Sequence, residues 1–191
     1  MKRVFHWARE GFEAEVERLV RRGLADTATA EAAVRAILDD VAARGDAALV
    51  EYTERFDAMT LSAAELRVPE AELEAAWRSL PERDRECLTL AADRIRRFHE
   101  GQKSRSWFVE EEGVVLGQRV TPVDSAGLYA PGGKASYPSS VLMNAIPATV
   151  AGVGRLVLVS PTPRGETNPH VLGAAWLCGV REVYRLGGAQ A

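Results

Sequence analysis

The sequence predicts an α/β protein, in which an N-terminal helical segment and a β-hairpin lead into a βαβαβ unit of parallel strands. Three observations predict this class. Apolar residues recur at helical spacing through most of the first hundred residues. Short β-branched runs follow at strand length, and segments rich in glycine, proline and small residues separate them. We therefore divide the chain into a mainly helical region, 1–124, with a hairpin near 106–123, and a parallel-strand unit, 125–191.

Amphipathic patterns predict the helices of the first region. The expected helices are Glu10–Arg22, Thr29–Ala43, Ala47–Phe56, Glu70–Leu80 and Glu82–Glu100. The first is expected to dock through one apolar face, and the last to turn Leu88, Ala91, Ala92, Ile95 and Phe98 inward. Gly45 ends the second helix and Asp46 can cap the third. A brief strand is expected at residues 66–68.

A hairpin connects these helices to the second region. Its strands are expected within 106–109 and 114–123, on either side of an acidic tip at residues 110–113. We expect that tip to be a solvated turn.

The first crossover of the parallel unit contains the most informative stretch of the chain. Ser125 to Ala130 is a short strand, and Pro131-Gly132-Gly133 forces a turn. A helix is then expected from Pro138-Ser139-Ser140, with a serine hydroxyl as its cap. Pro147 removes one helical hydrogen bond, so we expect a kink or an early end there.

A second crossover follows and completes a Rossmann-like pattern. Its parts are a strand at 155–160, a turn at 161–165, a helix at 171–178 capped by Asn168 or Thr167, and a strand at 182–186. Parallel sheets are covered on both faces and bind ligands beyond the carboxyl ends of their strands. The ligand is therefore expected at the loops 129–134, 161–165 and 187–190.

The chain ends where a further turn and helix are expected. Without them, the last strand would leave an apolar side and an unpaired edge exposed. We therefore expect a fragment, incomplete at its C-terminus, of a longer protein.

Composition excludes several classes of function. With 47% hydrophobic and 27% charged residues, the chain is typical of a soluble globular protein. A net charge of −3, without a basic stripe, argues against nucleic-acid binding. No apolar run is long enough for a membrane span and no signal-peptide pattern is present, so a cytoplasmic location is expected.

The cysteines and histidines do not form a metal-binding pattern. Cys87 and Cys178 are expected to be reduced core residues. His6, His99 and His170 are not at ligand spacing, and each is expected to be a surface or capping residue. We assign no metal ligand and no catalytic residue.

Several segments from about residue 29 onward match one known family of enzymes. They are Gly45-Asp46-Ala47-Ala48-Leu49, Tyr52-Thr53, Phe56-Asp57, Ile95, Phe98-His99, Gln102, Leu116-Gly117-Gln118, residues 127–153 and Gly187-Gly188-Ala189-Gln190-Ala191. In these segments the chain resembles the N-terminal portion of histidinol dehydrogenase. The resemblance implies a homodimeric, zinc-requiring enzyme. It would oxidise L-histidinol to L-histidine with two NAD in sequence.

The resemblance also implies the roles of individual residues. Tyr129 and Gln190 match the family's NAD contacts, and Pro131 is a further candidate for the same pocket. Ala130 and Lys134 depart from the usual family residues beside the cofactor. The family's zinc ligands, acid/base pair and most substrate contacts are expected beyond residue 191, so the 191 residues alone are expected to be inactive.

Other interpretations remain open at the level of sequence. A related NAD-dependent dehydrogenase for another small alcohol, such as sulfopropanediol, and a non-catalytic nucleotide-binding module are the alternatives. For single residues, Gly132-Gly133 could be only a tight turn, Tyr129 a packed aromatic and Gln190 a frayed terminal residue. Asp46 and Asp57 are interpreted as caps, and Tyr52, Phe56, Trp77 and Trp176 as core residues, although Phe56 could border the nucleotide.

Overall fold

A computed structural model describes residues 7–8, 11–21, 27–132 and 137–191. By compactness the chain divides into two units, Met1–Gly45 and Asp46–Ala191. The sequence-based division at residue 124 instead follows the change from helices to parallel strands, and it stays a prediction. No helix in the described ranges is both long and apolar enough to cross a membrane.

The first unit contains two helices, α1 (Phe12–Arg21) and α2 (Thr27–Arg44). Ion pairs one helical turn apart lie along both, as in Glu17–Arg21 and Asp40–Arg44, and such pairs each add a few tenths of a kcal/mol. No residue of α1 is buried. Docking of its apolar face therefore stays a prediction.

The second unit contains the remaining regular elements and confirms the predicted α/β class. Its helices are α3 (Asp46–Asp57), α4 (Glu70–Ser79), α5 (Glu82–Glu100), α6 (Pro138–Ala151) and α7 (Pro169–Leu177). Its strands are β1 (Trp107–Glu111), β2 (Val114–Gln118), β3 (Ser125–Tyr129), β4 (Arg155–Val159) and β5 (Glu182–Tyr184). Short 3-10 turns lie at Ala63–Glu65, Pro163–Gly165 and Gly188–Gln190.

The parallel sheet has the order β3-β4-β5, as the βαβαβ pattern predicts. Leu128, Leu158 and Val183 are paired in register across it and are buried. Both crossovers advance in the same direction, so right-handed connections put α6 and α7 on one face. These helices contact each other, and α5 and α4 pack on α6 and α7 respectively. The row of Leu128, Leu158 and Val183 belongs to the hydrophobic core beneath these helices.

The opposite face of the sheet is more open than predicted. Tyr129, Val159 and Tyr184 form the last paired row, and their side chains alternate with the buried row. Tyr129 is 45% exposed, while Val159 and Tyr184 are half-buried. Among the described residues, full cover therefore exists on one face only.

The outer edge of β5 is paired, contrary to the prediction from the sequence. The Val68 N–H donates to the Val183 carbonyl at 2.8 Å, and the Arg185 N–H donates to the Leu66 carbonyl at 2.8 Å. Arg185 also donates from Nη2 to Oε2 of Glu72 on α4 at 2.5 Å. The expected brief strand at residues 66–68 thus forms an antiparallel bridge that covers this edge.

Helix α6 differs from the prediction at both ends. It begins at Pro138 after Tyr137, without a side-chain cap, so the serine cap was wrong. It runs through Pro147 to Ala151 and ends at Gly152 with φ 95°, so the early end was wrong, whereas the alternative of a kink at Pro147 stays a prediction. The carbonyl that loses its partner belongs to Met143, which is 62% exposed, and water can satisfy it there.

Other local predictions had mixed outcomes. Asn168 caps α7 as expected, since its side chain accepts from the His170 N–H at 2.9 Å. Phe98, predicted inward, is 64% exposed because it lies near the end of α5. The predicted hairpin forms from β1 and β2, and every residue of both strands is exposed.

We expect Leu158→Ala to lower the free energy of unfolding by about 2–5 kcal/mol, because it opens a cavity in the buried core cluster. Leu90→Ala on α5, where the side chain is 50% exposed, is the matched control and should change stability by less than about 1 kcal/mol. Urea titration followed by circular dichroism measures both. Equal effects of the two variants would contradict this account of the core.

Candidate functional site at the carboxyl edge of the sheet

Three loops meet where the parallel strands end, at Pro161. A Cβ atom on Gly132 would lie 2.2 Å from the Pro161 carbonyl oxygen, and one on Gly187 would lie 2.4 Å from the Pro161 Cβ. Neither distance is possible for a real side chain, so glycine is required on both sides. The loops after β3 and β5 therefore close on the loop after β4.

The predicted cofactor residues lie in these loops. Tyr129 is the last residue of β3, Pro131 is half-buried in the following loop, and Gln190 lies in the 3-10 turn after β5. Because β4 lies between β3 and β5, the two outer strands are roughly 10 Å apart. Tyr129, at the end of β3, and Gln190, after β5, therefore lie on either side of Pro161. Gly133 and Lys134, also part of the predicted loop, lie outside the described residues.

The Gln190 side chain is the most unusual polar group at this edge. It is 4% exposed, and neither Oε1 nor Nε2 has a hydrogen-bond partner within the described part of the chain. A buried polar group without a partner costs about 1–3 kcal/mol. An amide in this state offers one acceptor and two donor hydrogens to a bound group.

Helix α3 brings further polar groups to the same edge. It contacts both the 3-10 turn after β4 and the one after β5. Just beyond its C-terminal end, Met59 Sδ accepts from Thr162 Oγ1 at 3.3 Å. Thr53 Oγ1 and Asp57 Oδ2, four residues apart and so on one side of α3, are buried and lack partners among the described residues. Burial raises the pKa of the Asp57 carboxyl.

The sequence did not single out these α3 residues. Thr53 was only part of a family-like segment, and Asp57 was interpreted as a cap. Within the described ranges, Asp57 Oδ2 makes no hydrogen bond, so the interpretation as a cap was wrong for this atom. Phe56, interpreted as a core residue, is instead 50% exposed and stacks on Tyr52 at 5.7 Å between ring centroids. A role for Phe56 beside the nucleotide stays a prediction.

A cavity of about 570 Å³ lies at the opposite, amino edge of the sheet. Its walls include His99, Gln102, Pro122, Val150 and Gly152. We do not take it as the site, because ligands of parallel sheets bind at the carboxyl ends of the strands. The buried unpartnered polar atoms of Gln190 and of α3 also lie away from it.

The described histidines and cysteines are not among the residues of this candidate site. His170 Nε2 lies 2.9 Å from Asp84 Oδ2 and so joins α7 to α5, while His6 lies outside the described residues. Burial raises the pKa of the Cys178 thiol to about 11, which keeps it protonated and unreactive. Cys87 is exposed, so its predicted core position was wrong. Among the described residues, no group of three or more His, Cys, Asp or Glu could hold a metal ion.

Comparison with known proteins identifies relatives over most of the chain. The family model described as histidinol dehydrogenase matches residues 20–191. The histidinol dehydrogenase of Burkholderia mallei is 54% identical over 190 residues, covering 96% of this chain and 43% of that protein. That of Chromobacterium violaceum is 52% identical over 182 residues, covering 94% of this chain and 42% of that protein.

A solved structure agrees with these matches. The crystal structure of histidinol dehydrogenase from Elizabethkingia anophelis aligns with a TM-score of 0.77 at 34% identity, over 84% of this chain and 37% of that chain. The present chain thus spans about 42% of the length of the curated relatives it matches.

We expect Asp57→Asn to raise the free energy of unfolding at pH 7. A carboxyl whose pKa is raised in the folded state favours folding when protonated, and this contribution is lost as the pH rises through the folded pKa. The gain from the substitution should shrink as the pH falls through the raised pKa of the folded carboxyl, because the wild-type side chain then takes up a proton. Urea titrations at several pH values measure it. A difference that stays constant from pH 4 to pH 8 would contradict the desolvation of this carboxyl.

Proposed function

Because the chain belongs to the histidinol dehydrogenase family, we propose that the whole protein oxidises L-histidinol to L-histidine in two NAD-dependent steps of histidine biosynthesis. Within it, these 191 residues hold the NAD. The proposal rests on the family match and on the three loops that converge at Pro161. Such a convergence at the carboxyl edge of a parallel sheet is typical of nucleotide sites.

The buried amide of Gln190 is the observation that carries the cofactor assignment. Its unpartnered Oε1 and Nε2 fit a ligand that both donates and accepts hydrogen bonds, as a dinucleotide does. Tyr129, 45% exposed at the end of β3, offers a ring for stacking and a hydroxyl for hydrogen bonding. Pro131, two residues after Tyr129 in the chain, is proposed to line the same pocket.

In this proposal, the chain contributes binding and orientation. NAD supplies the chemistry as hydride acceptor, and the protein must hold its reactive ring against the substrate carbon. Tyr129 and Gln190 hold the cofactor from opposite sides of the Pro161 loop. The described residues do not fit a zinc site, so we derive no step through zinc and propose that its ligands lie elsewhere in the protein.

The relatives support this function over the alternatives. The proteins compared above carry the name histidinol dehydrogenase, which does not favour a sulfopropanediol-type enzyme or a module without catalysis. A homodimeric assembly and a cytoplasmic location accompany the proposal as predictions from the family resemblance.

We expect Tyr129→Ala and Gln190→Ala each to raise the NAD dissociation constant about tenfold or more, because stacking and buried hydrogen bonds each contribute about 1–3 kcal/mol. Two exposed residues remote from the carboxyl edge provide the controls. Phe98→Ala removes an aromatic ring, as Tyr129→Ala does, and Gln102→Ala removes a glutamine amide, as Gln190→Ala does. Calorimetric titration with NAD measures all four. Equal affinity in the site variants and the controls would refute the assignment of the cofactor site.

We further expect the 191-residue chain alone to give no histidinol-dependent NADH, even with zinc added. General acid and base groups must lie within hydrogen-bond reach of the reacting hydroxyl, and the family's acid/base pair is expected beyond residue 191. Absorbance at the NADH maximum measures it.

The intact mass of the protein from its own source is the companion measurement. A mass above twice 20.8 kDa supports a longer enzyme of which this chain is a part, whereas a mass near 20.8 kDa favours a binding module.

A further inference from the structure

We propose that Thr53, Asp57 and Gln190 together form a polar subsite for NAD, in which the Asp57 carboxylate accepts a hydrogen bond from a neutral donor group of the dinucleotide. This inference rests on the proposed cofactor function and adds two residues of α3 to it. The donor is the 2′-hydroxyl of the adenosine ribose, the adenine amine or the carboxamide amine, and the experiment below separates these three sources.

The first argument is that the buried polar atoms without a partner belong to α3 and the last turn. Thr53 is fully buried and Gln190 is 4% exposed. Their side-chain polar atoms and Asp57 Oδ2 make up the buried side-chain nitrogen and oxygen atoms that lack a partner in the described ranges. Native proteins leave few such groups, and each calls for a ligand, a water or a functional reason.

The second argument is the position of α3. The helix contacts the 3-10 turns after β4 and β5, and the Met59–Thr162 contact fixes its C-terminal end beside the β4 loop. The same loop carries Pro161, on which Gly132 and Gly187 close. Asp57, the last residue of α3, therefore lies at the edge of the sheet to which the cofactor is assigned.

The third argument is chemical complementarity. An ionised carboxylate only accepts hydrogen bonds, so its partner must be a donor. The diphosphate of NAD offers only acceptors and negative charge, and it does not fit Asp57. The hydroxyl and amine groups of the dinucleotide fit, and the Thr53 hydroxyl and the Gln190 amide can pair with acceptors beside them.

The test compares NAD binding by the wild-type protein, Asp57→Asn and the control Asp93→Asn, an exposed carboxyl on α5. We expect Asp57→Asn to raise the NAD dissociation constant at least tenfold, because a hydrogen bond to a charged group is about twice as strong as a neutral one. Asp93→Asn should stay within twofold. If Asp57→Asn behaves as Asp93→Asn does, the subsite is refuted.

Three analogues then identify the donor on the wild-type protein. Nicotinamide hypoxanthine dinucleotide lacks the adenine amine, 3-acetylpyridine adenine dinucleotide lacks the carboxamide amine, and NADP carries phosphate in place of the adenosine 2′-hydroxyl. We expect one analogue to bind the wild type at least tenfold more weakly than NAD but to lose little further affinity in Asp57→Asn, as a pair in direct contact does. If all three bind the wild type as NAD does, the subsite is refuted even where Asp57→Asn fails to fold. If each analogue weakens both proteins by the same factor, Asp57 does not contact the altered groups, and the proposal also fails.

The outcomes separate this inference from the proposed function. Absence of NAD binding by the wild type refutes the proposed function and the subsite together. NAD binding that depends on Tyr129 but not on Asp57 refutes the subsite alone.

Discussion

The close approach of three loops around Pro161 is the constraint on which the candidate site depends. Gly132 and Gly187 have no space for a side chain against this residue. Because these glycines follow the two outer strands, their backbones can close over the end of the central strand. Any Cβ on either side would push the loops apart, and Tyr129 and Gln190 would move with them.

The register of the sheet transmits this constraint to the core. Leu128, Leu158 and Val183 form one buried row beneath α6 and α7, and the next row ends in Tyr129. A slip by one residue would exchange the two rows, burying Tyr129 and exposing leucine. The packing of α6 and α7 therefore decides where the predicted cofactor tyrosine lies.

Stability and binding oppose each other at the end of α3. Burial of the Asp57 carboxyl raises its pKa. The side-chain polar atoms of Thr53 and Gln190 are buried and have no hydrogen-bond partner in the described ranges. Each such group lowers stability unless a ligand or water satisfies it. The extended apolar core cluster favours folding and opposes this cost. Polar groups retained at such a cost are a common feature of binding sites.

The sequence by itself determined the α/β class, the order of its elements and the family, because these depend on patterns within single segments, and it narrowed the cap of α7 to Asn168 or Thr167. It also located Tyr129, Pro131 and Gln190 at the ends of strands. Tertiary structure alone decided that residues 66–68 pair with the edge of β5 and that Pro147 remains within α6. It also decided that Thr53 Oγ1 and Asp57 Oδ2 are buried without a hydrogen-bond partner in the described ranges. The reason is that edge pairing, solvent access and burial depend on contacts between segments far apart in the chain. A pattern along one segment carries no information about which other segment will cover it.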